Sequence, residues 1–169
     1  MLGVDGPPEP LEVAEQWTHE LGDLDTTPFL LVSTVQRLRN HLERAFTCLA
    51  KEYELRPADL RVLLALRRSG PDYALSPTAL FRQLMITSGA VSKQIDQLAD
   101  LGLVTRVADP NVLRGLLVRL EPAGREIAER AMREICSSYC GLETLDGEQA
   151  RDMLAALRVL TDVVERSAL

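Results

Sequence analysis

Residues 87 to 100, TSGAVSKQIDQLAD, place an apolar stripe opposite a row of small and hydrogen-bonding side chains. Val91, Ile95, Leu98 and Leu101 follow one another at steps of four, three and three. This spacing puts the four side chains on one face of a helix, and we expect that face to pack into a core. The opposite face carries mostly uncharged polar residues: Ser88, Ser92, Lys93, Gln94 and Gln97. Such a face is suited to recognising a partner through hydrogen bonds.

The polar face has the chemistry needed to bind double-stranded DNA. Glutamine matches the donor and acceptor of adenine in the major groove, and lysine binds guanine or phosphate. Thr87 or Ser88 can cap the helix, while the small Ser88 and Gly89 let its N-terminus approach the DNA backbone. Asp96 and Asp100 are expected to turn aside from DNA or to pair with protein cations. Taken singly, each polar residue is more often a solvated surface position. The predicted DNA contacts on this helix are Thr87, Ser88, Gly89, Ser92, Lys93, Gln94 and Gln97.

The neighbouring segments predict a helix-turn-helix followed by a wing. LSPTALFRQLM opens with the cap and first-turn pair Ser76-Pro77 and predicts a short helix just before the one above. Gly102 ends the second helix, and the strand-like runs LVTRVA and LLVRL are joined by the turn residues DPN at 109 to 111. Asn111 and Arg114 are predicted DNA contacts in this hairpin, since an arginine can enter a narrow minor groove. A solvated hairpin charge is the alternative for Arg114.

Amphipathic helices flank this core on both sides. A stripe of apolar residues at steps of three and four predicts one long helix after the cap Thr27-Pro28; it contains Leu31, Val35, Leu38, Leu42, Phe46, Leu49 and Tyr53. LRPADLRVLLALRRSG predicts a helix that begins near Pro57 and is ended by Gly70. Two more helices follow the hairpin, and Asp146 is expected to cap the second. The apolar face of that last helix is marked by Met153, Leu157, Leu160 and Val164. These helices are expected to pack against each other or against a second subunit.

The predicted fold is mostly α with a small β-hairpin wing. A winged helix-turn-helix core is joined to N- and C-terminal dimerisation helices. We divide the chain into a flexible N-terminus at 1–10, N-terminal helices at 11–54, the DNA-binding core at 55–120 and C-terminal helices at 121–169. The N-terminal helices are expected to form a dimer contact and one wall of a ligand pocket.

Composition is compatible with a DNA-binding protein despite a formal net charge of −6. Residues 1–36 hold seven of the 25 acidic residues and no lysine or arginine, so the rest of the chain is nearly neutral. The acidic segment is either a solvated helix or a shield for a basic surface. No apolar run approaches the roughly 20 residues that span a bilayer, and the N-terminus has no signal pattern. We therefore expect a cytoplasmic protein without a membrane partner.

The cysteines and histidines do not predict an enzyme, a metal site or a cofactor. Cys48, Cys136 and Cys140 are an odd number without the density of a secreted scaffold. Cys136 and Cys140 are expected to share a helix face as small packing residues. A redox sensor is the alternative, because Arg133 lies one turn before Cys136. His19 and His41 lack the neighbours that a catalytic constellation requires.

The run SGAVSKQIDQLADLGLVTR, followed by DPN, RG and AGREI, resembles the winged-helix core of the MarR family of bacterial transcriptional regulators. The resemblance covers about residues 27 to 130. It implies a homodimer that places two recognition helices in successive major grooves of a pseudo-palindromic site. The family's wing pattern is Asp-Pro-x-Asp-Arg-Arg. Asp109, Pro110 and Arg114 match this pattern, whereas Val112 and Leu113 replace a carboxylate and a cation.

A narrower resemblance is to the urate-responsive branch of that family, through EQWTHELGDLDTTPF and GPDYALSPTALFRQLMITSGA. Trp17 and Arg106 match two of that branch's four pocket residues, while Arg61 and Gln94 depart from the other two. The departures argue against urate. Trp17 can stack an aromatic ring, and Arg61 with Arg106 can bind a carboxylate or phenolate. Alternatively, Trp17 attaches an extra helix to the core and the two arginines are surface ion-pair partners.

The function predicted from the sequence is that of a DNA-binding transcriptional regulator. We expect a homodimeric repressor that binds a pseudo-palindromic operator and is released by an anionic, aromatic small molecule. The expected effector contacts are Trp17, Arg61 and Arg106. The alternatives are a winged-helix module for protein partners with little DNA affinity, and a thiol-based redox regulator.

Overall fold

The computed structural model describes residues 8–84 and 88–167, and the side chains of 88–91 lie outside that description. The described part is mainly helical, as the sequence predicts. Its α-helices are α1 (Pro10–Leu21), α2 (Thr27–Glu52), α3 (Pro57–Arg67), α4 (Pro77–Leu84), α5 (Ser88–Asp100), α6 (Pro122–Ser138) and α7 (Gly147–Ser167). The strands are β1 (Ala74–Leu75), β2 (Val104–Ala108) and β3 (Leu116–Leu120). Within these residues, no helix has the length and hydropathy needed to cross a membrane.

The strands form one antiparallel sheet in the order β1-β3-β2. The β2–β3 hairpin is the predicted wing, with Val104 opposite Leu120 and Ala108 opposite Leu116. Strand β1 pairs its two residues with Arg119 and Val118 of β3, and the sequence analysis did not predict it. A two-residue strand is too short to show the alternation by which strands are recognised.

The chain divides into two compact units, one up to Cys48 and the other from Leu49 onward. In the first unit, α2 begins at the predicted position but is capped differently. The Asp25 carboxylate accepts the backbone N–H of Thr27 at 3.0 Å, and the Thr26 carbonyl accepts that of Leu30. The Thr27 backbone bond lowers the pKa of Asp25. The capping groups therefore precede Thr27.

The second unit contains a continuous hydrophobic core. Helix α3 packs against α4, α5, α6 and β3. The largest fully buried apolar side chains are Leu60, Val62, Leu63, Leu66, Leu80, Ile95, Leu98 and Val118. Ile95 and Leu98 confirm the predicted inner face of α5. Leu101 was wrongly assigned to that face, because α5 ends at Asp100 and the Leu101 side chain is exposed in the turn that follows.

Helix α3 begins at Pro57, as predicted, and ends at Arg67, three residues before Gly70, the residue predicted to stop it. At its start, Arg56 donates two hydrogen bonds to the fully buried Asp59 carboxylate, at 2.7 and 2.9 Å. A buried carboxylate needs such a partner. In the turn after the helix, Gly70 has a φ of +114°, a backbone conformation that favours glycine.

Helix α7 has the predicted amphipathic sequence and cap, but its apolar face is uncovered. The Asp146 carboxylate accepts the N–H groups of Glu148 and Gln149, which confirms the cap. No residue of α7 is buried. Exposed apolar side chains on it include Met153, Leu154, Leu157, Val159, Val163 and Val164. A face of this kind is typical of a helix that packs against a second molecule.

The cysteines are free and exposed, so the prediction that they are small packing residues is wrong for this chain. Cys136 lies on α6, which ends at Ser138. Cys140 follows the helix with a φ of +59°. The two cysteines therefore do not share a helix face, although their spacing of four predicted it.

Candidate nucleic-acid interface

Helices α4 and α5 pack against each other and present the outer face of α5. The Ser76 hydroxyl accepts the backbone N–H of Ala79 at 3.2 Å and confirms the predicted cap of α4. Leu80 of α4 and Ile95 and Leu98 of α5 are buried in the core. Helix α5 also packs against β2, which joins it to the wing. These contacts fix the orientation of α5 within the second unit.

The predicted DNA contacts on α5 do not all have the same environment. Ser92 and Lys93 are exposed on its outer side, and Gln97 is half-buried. Ser88 and Gly89 begin the helix, but their side chains, like all of Thr87, lie outside the described residues. The placement of Gln94 on the outer face is wrong.

Gln94 is only 9% exposed, and its Oε1 has no hydrogen-bond partner among the described residues. At four residues after Ala90 and one before the buried Ile95, it lies on the flank of the helix that turns inward. The apolar stripe of a helix is about 100° wide, so spacing alone does not show whether a residue at its edge is buried or exposed. The side chain therefore cannot reach a DNA base without moving.

An ion pair joins the recognition helix to the wing. Asp96 of α5 accepts a hydrogen bond from Arg106 of β2, with Oδ1 and a guanidinium nitrogen 2.6 Å apart. Both side chains remain partly exposed. The structure thus gives Asp96 the cationic protein partner that the sequence analysis offered as one of two options. Arg106, a predicted effector contact, is engaged by Asp96 in this state.

The wing tip is closed by its own hydrogen bonds. Asp109 donates its N–H to the Gly115 carbonyl, Gly115 donates to Val112, and Asn111 donates to the Asp109 carboxylate at 2.8 Å. Arg114 has a φ of +61°, in the left-handed region. Both Asn111 and Arg114 are exposed. The predicted wing contacts therefore lie at a surface that a duplex can reach.

The other two predicted effector residues lie in different units. Trp17 is 47% exposed on α1 of the first unit, and Arg61 is half-buried on α3 of the second. The first unit also contains an open groove of about 410 Å³ between α1 and α2. Its lining includes Leu11, Leu30, Arg37, Leu38 and His41, and Arg37 is paired with Glu9 at 2.5 Å. Trp17 is not among the residues that line this groove.

A charged cluster beside the sheet was missed by the sequence analysis. The Arg67 and Arg125 guanidinium groups lie 4.8 and 5.0 Å from the centre of the Tyr73 ring. Both arginines bind the same Glu129 oxygen, at 2.9 and 2.8 Å. The bonds from Arg125 and then Arg67 lower the pKa of Glu129. Only the spacing of Arg125 and Glu129, one helical turn apart, signals this cluster in the sequence.

Comparisons with known proteins agree with this architecture. Residues 53–115 match the model of the MarR family. The regulator PecS of Dickeya dadantii is 27% identical over 146 residues, which cover 86% of this chain and 88% of PecS. A MarR family transcriptional regulator from Streptomyces coelicolor superposes with a TM-score of 0.70 at 24% identity, covering 84% of this chain and 98% of its own.

A third similar protein is a regulator whose structure concerns control by a small molecule. Bordetella bronchiseptica BpsR is 26% identical to this chain and superposes with a TM-score of 0.61. The match covers 77% of this chain and 91% of the BpsR chain. That structure concerns the regulation of BpsR's DNA binding by 6-hydroxynicotinic acid.

The fold, the exposed face of α5 and the wing define a winged-helix protein that is similar to DNA-binding regulators of transcription. Its residues 53–115 are similar to the winged-helix region of the MarR family. The predicted fold class, mostly helical with a small β-hairpin wing, is confirmed by these similarities. The comparisons do not favour the protein-interaction module or the thiol-based regulator.

Proposed function

We propose that the protein is a homodimeric repressor that binds a pseudo-palindromic operator and is released by an anionic aromatic molecule. The observation that carries the proposal is the pair of exposed residues Ser92 and Lys93 on α5, combined with the exposed Arg114 on the wing. In a MarR-type winged helix these are the surfaces available to the major groove and to the adjacent backbone or minor groove.

Ser92 and Lys93 are the proposed major-groove contacts. A serine hydroxyl can donate to or accept from a base edge, and a lysine ammonium binds guanine or phosphate. Gln97, Asn111 and Arg114 remain proposed contacts, as do Thr87, Ser88 and Gly89 at the start of the helix. We withdraw Gln94 from this set because its side chain is buried.

The dimer is supported by the uncovered face of α7. Six large apolar side chains on one helix are costly to leave in water. A second copy of the chain can cover them, since a two-fold interface pairs one patch with itself. Two recognition helices held in this way predict half-sites about one helical turn apart, roughly 10 base pairs.

The proposed effector is an aromatic acid because of the chemistry of Trp17, Arg61 and Arg106. The ligand that regulates BpsR, 6-hydroxynicotinic acid, is a compound of this class. An anion that binds Arg106 competes with the Asp96 carboxylate, which now occupies that guanidinium at 2.6 Å. Breaking this pair removes one of the contacts between α5 and the wing strand, which would link ligand binding to DNA binding.

The DNA-binding part of the proposal is tested with Lys93→Ala in fluorescence anisotropy on a selected operator. We expect weaker binding on every sequence and a salt dependence reduced by about one counterion. Lys51→Ala is the matched control because Lys51 is the chain's other lysine and is exposed on α2. Equal affinities for wild type and Lys93→Ala would place the interface elsewhere.

The effector part is tested by titration calorimetry with 6-hydroxynicotinate, using uncharged nicotinamide as the control compound. We expect the acid to bind the wild type and to bind Arg106→Ala at least tenfold more weakly. Trp17→Ala and Arg61→Ala test the other two contacts in the same way. Identical binding by wild type and Arg106→Ala would remove Arg106 from the effector site.

A further inference from the structure

The outermost side chain of the wing is apolar. Leu113 is 95% exposed, more than any other large hydrophobic residue among those described, and its neighbour Val112 is about half-exposed. Leaving a leucine in water costs free energy that burial in a complex would recover. A leucine cannot make an ionic contact with a DNA phosphate. If this surface binds DNA, Leu113 must make an apolar contact instead.

The wing tip holds Leu113 outward on a short closed loop. Seven residues, 109–115, join β2 to β3, and backbone bonds from Asp109 to Gly115 and from Gly115 to Val112 close them at 2.9 and 2.8 Å. A Cβ on Gly115 would lie 2.8 Å from the Val112 Cβ, so the close approach requires glycine. A tip fixed in this way loses little conformational freedom when it is pressed against a partner.

The surroundings of Leu113 favour DNA as that partner. Arg114 follows it directly and can bind a phosphate beside the point of entry. The nearest carboxylate, Asp109, accepts the N–H of Asn111 and is held within the turn. The wing is also continuous with α5, since α5 packs against β2. The wing that carries Leu113 therefore adjoins the helix that carries Lys93.

We propose that Leu113 is a wedge that enters the minor groove of the operator, partly separates two stacked base pairs and bends the duplex. Leucine is among the side chains that can act in this way, and the cost of unstacking is smallest at flexible pyrimidine–purine steps. The wing then selects sequence by deformability, in addition to base contacts made by α5. This inference rests on the proposed DNA-binding function.

The test uses the full-length protein and a selected operator labelled at both ends for energy transfer. A 2-aminopurine at each candidate step reports unstacking. We expect the wild type to bend the DNA and to raise 2-aminopurine fluorescence at one step per half-site. Leu113→Ala should lose both signals and bind about tenfold more weakly, whereas Leu113→Phe should keep both signals.

Two further variants separate a wedge from a phosphate contact. Leu113→Lys should strengthen binding if the tip merely lies on the backbone, but should abolish the bend if the residue enters the stack. Arg114→Ala should lower affinity and its salt dependence while preserving the bend. Circular dichroism of each variant checks that the fold is unchanged, as expected for a side chain that is almost fully exposed.

The two proposals fail in different ways. A wild type that binds no duplex overturns both. A wild type that binds its operator, with Leu113→Ala giving the same affinity and the same bend, overturns only the wedge. In that second case the apolar tip is a surface for a protein partner, and the DNA-binding function stands.

Discussion

Gln94 shows that a polar residue of α5 need not face outward. Its buried Oε1 lacks a hydrogen-bond partner among the described residues. An unsatisfied buried acceptor costs stability, since it has given up water without a replacement. Within the described residues, Gln94 is therefore a position where α5 can be tested for a packing weakness.

The substitution Gln94→Met is expected to stabilise the protein by about 1 kcal/mol, because it removes, at nearly constant volume, an acceptor that has no partner in the described part of the chain. Urea denaturation followed by circular dichroism measures the change. Gln97→Met, the same replacement at a half-buried position three residues later, serves as control and should have little effect. A less stable Gln94→Met would mean that the amide makes a favourable contact in solution.

At the scale of elements, the wing and α6 are held together by a contact that only glycine permits. A Cβ on Gly124 of α6 would lie 2.3 Å from the carbonyl oxygen of Leu103, which precedes β2. In the sequence this glycine stands within AGREI, where nothing marks it as a packing residue. Because this neighbour is a backbone atom, it cannot move aside as the end of a flexible side chain could.

We expect Gly124→Ala to destabilise the protein by about 1–3 kcal/mol, the usual cost of overpacking. Thermal unfolding measures this loss. Gly147→Ala is the control, because a Cβ at Gly147 has nothing within 4 Å and that glycine begins α7. An unchanged melting temperature for Gly124→Ala would show that α6 can shift without cost.

The cluster of Arg67, Arg125 and Glu129 predicts a dependence of stability on pH. The pKa of Glu129 is lowered by its bonds to the two arginines, so the folded state favours the carboxylate. Its stabilising contribution is complete above the ordinary glutamate pKa of 4.5 and is lost as the pH falls through the lowered value.

Glu129→Gln should accordingly lower the melting temperature at pH 7, and the difference from wild type should shrink as the pH approaches 3. Glu126→Gln on the same helix is the control, since Glu126 is exposed and outside the cluster. A difference that stays constant between pH 7 and pH 3 would contradict an ionic role for Glu129.

The elements differ in how far the sequence determined them. Long helices, the caps at Ser76 and Asp146 and the hairpin were predictable because periodicity and capping are local properties. The two-residue β1 depends on pairing with the distant β3. Leu101 and Gln94 were misplaced because spacing alone fixes neither the last residue of a helix nor the side to which a flanking residue turns. The pairing of Asp96 with Arg106 was anticipated only as a choice between two roles, since spacing does not bring α5 and β2 together.

At the scale of the whole molecule, the uncovered face of α7 predicts self-association. Leu157→Glu places a charge in the middle of that face and should convert a dimer into a monomer in sedimentation velocity experiments. Operator binding should fall with it, since one recognition helix makes half the contacts. Asp162→Ala is the control, because Asp162 lies on the opposite side of the helix by its spacing. A Leu157→Glu protein that remains a dimer would move the interface away from α7.

The central claim, sequence-specific DNA binding by a dimer, is tested most directly by genomic SELEX with the purified protein at two salt concentrations. The account predicts enrichment of a pseudo-palindrome whose half-sites are about one helical turn apart, with weaker retention at the higher salt. No enriched sequence, or weak binding that disappears at physiological salt, would contradict it.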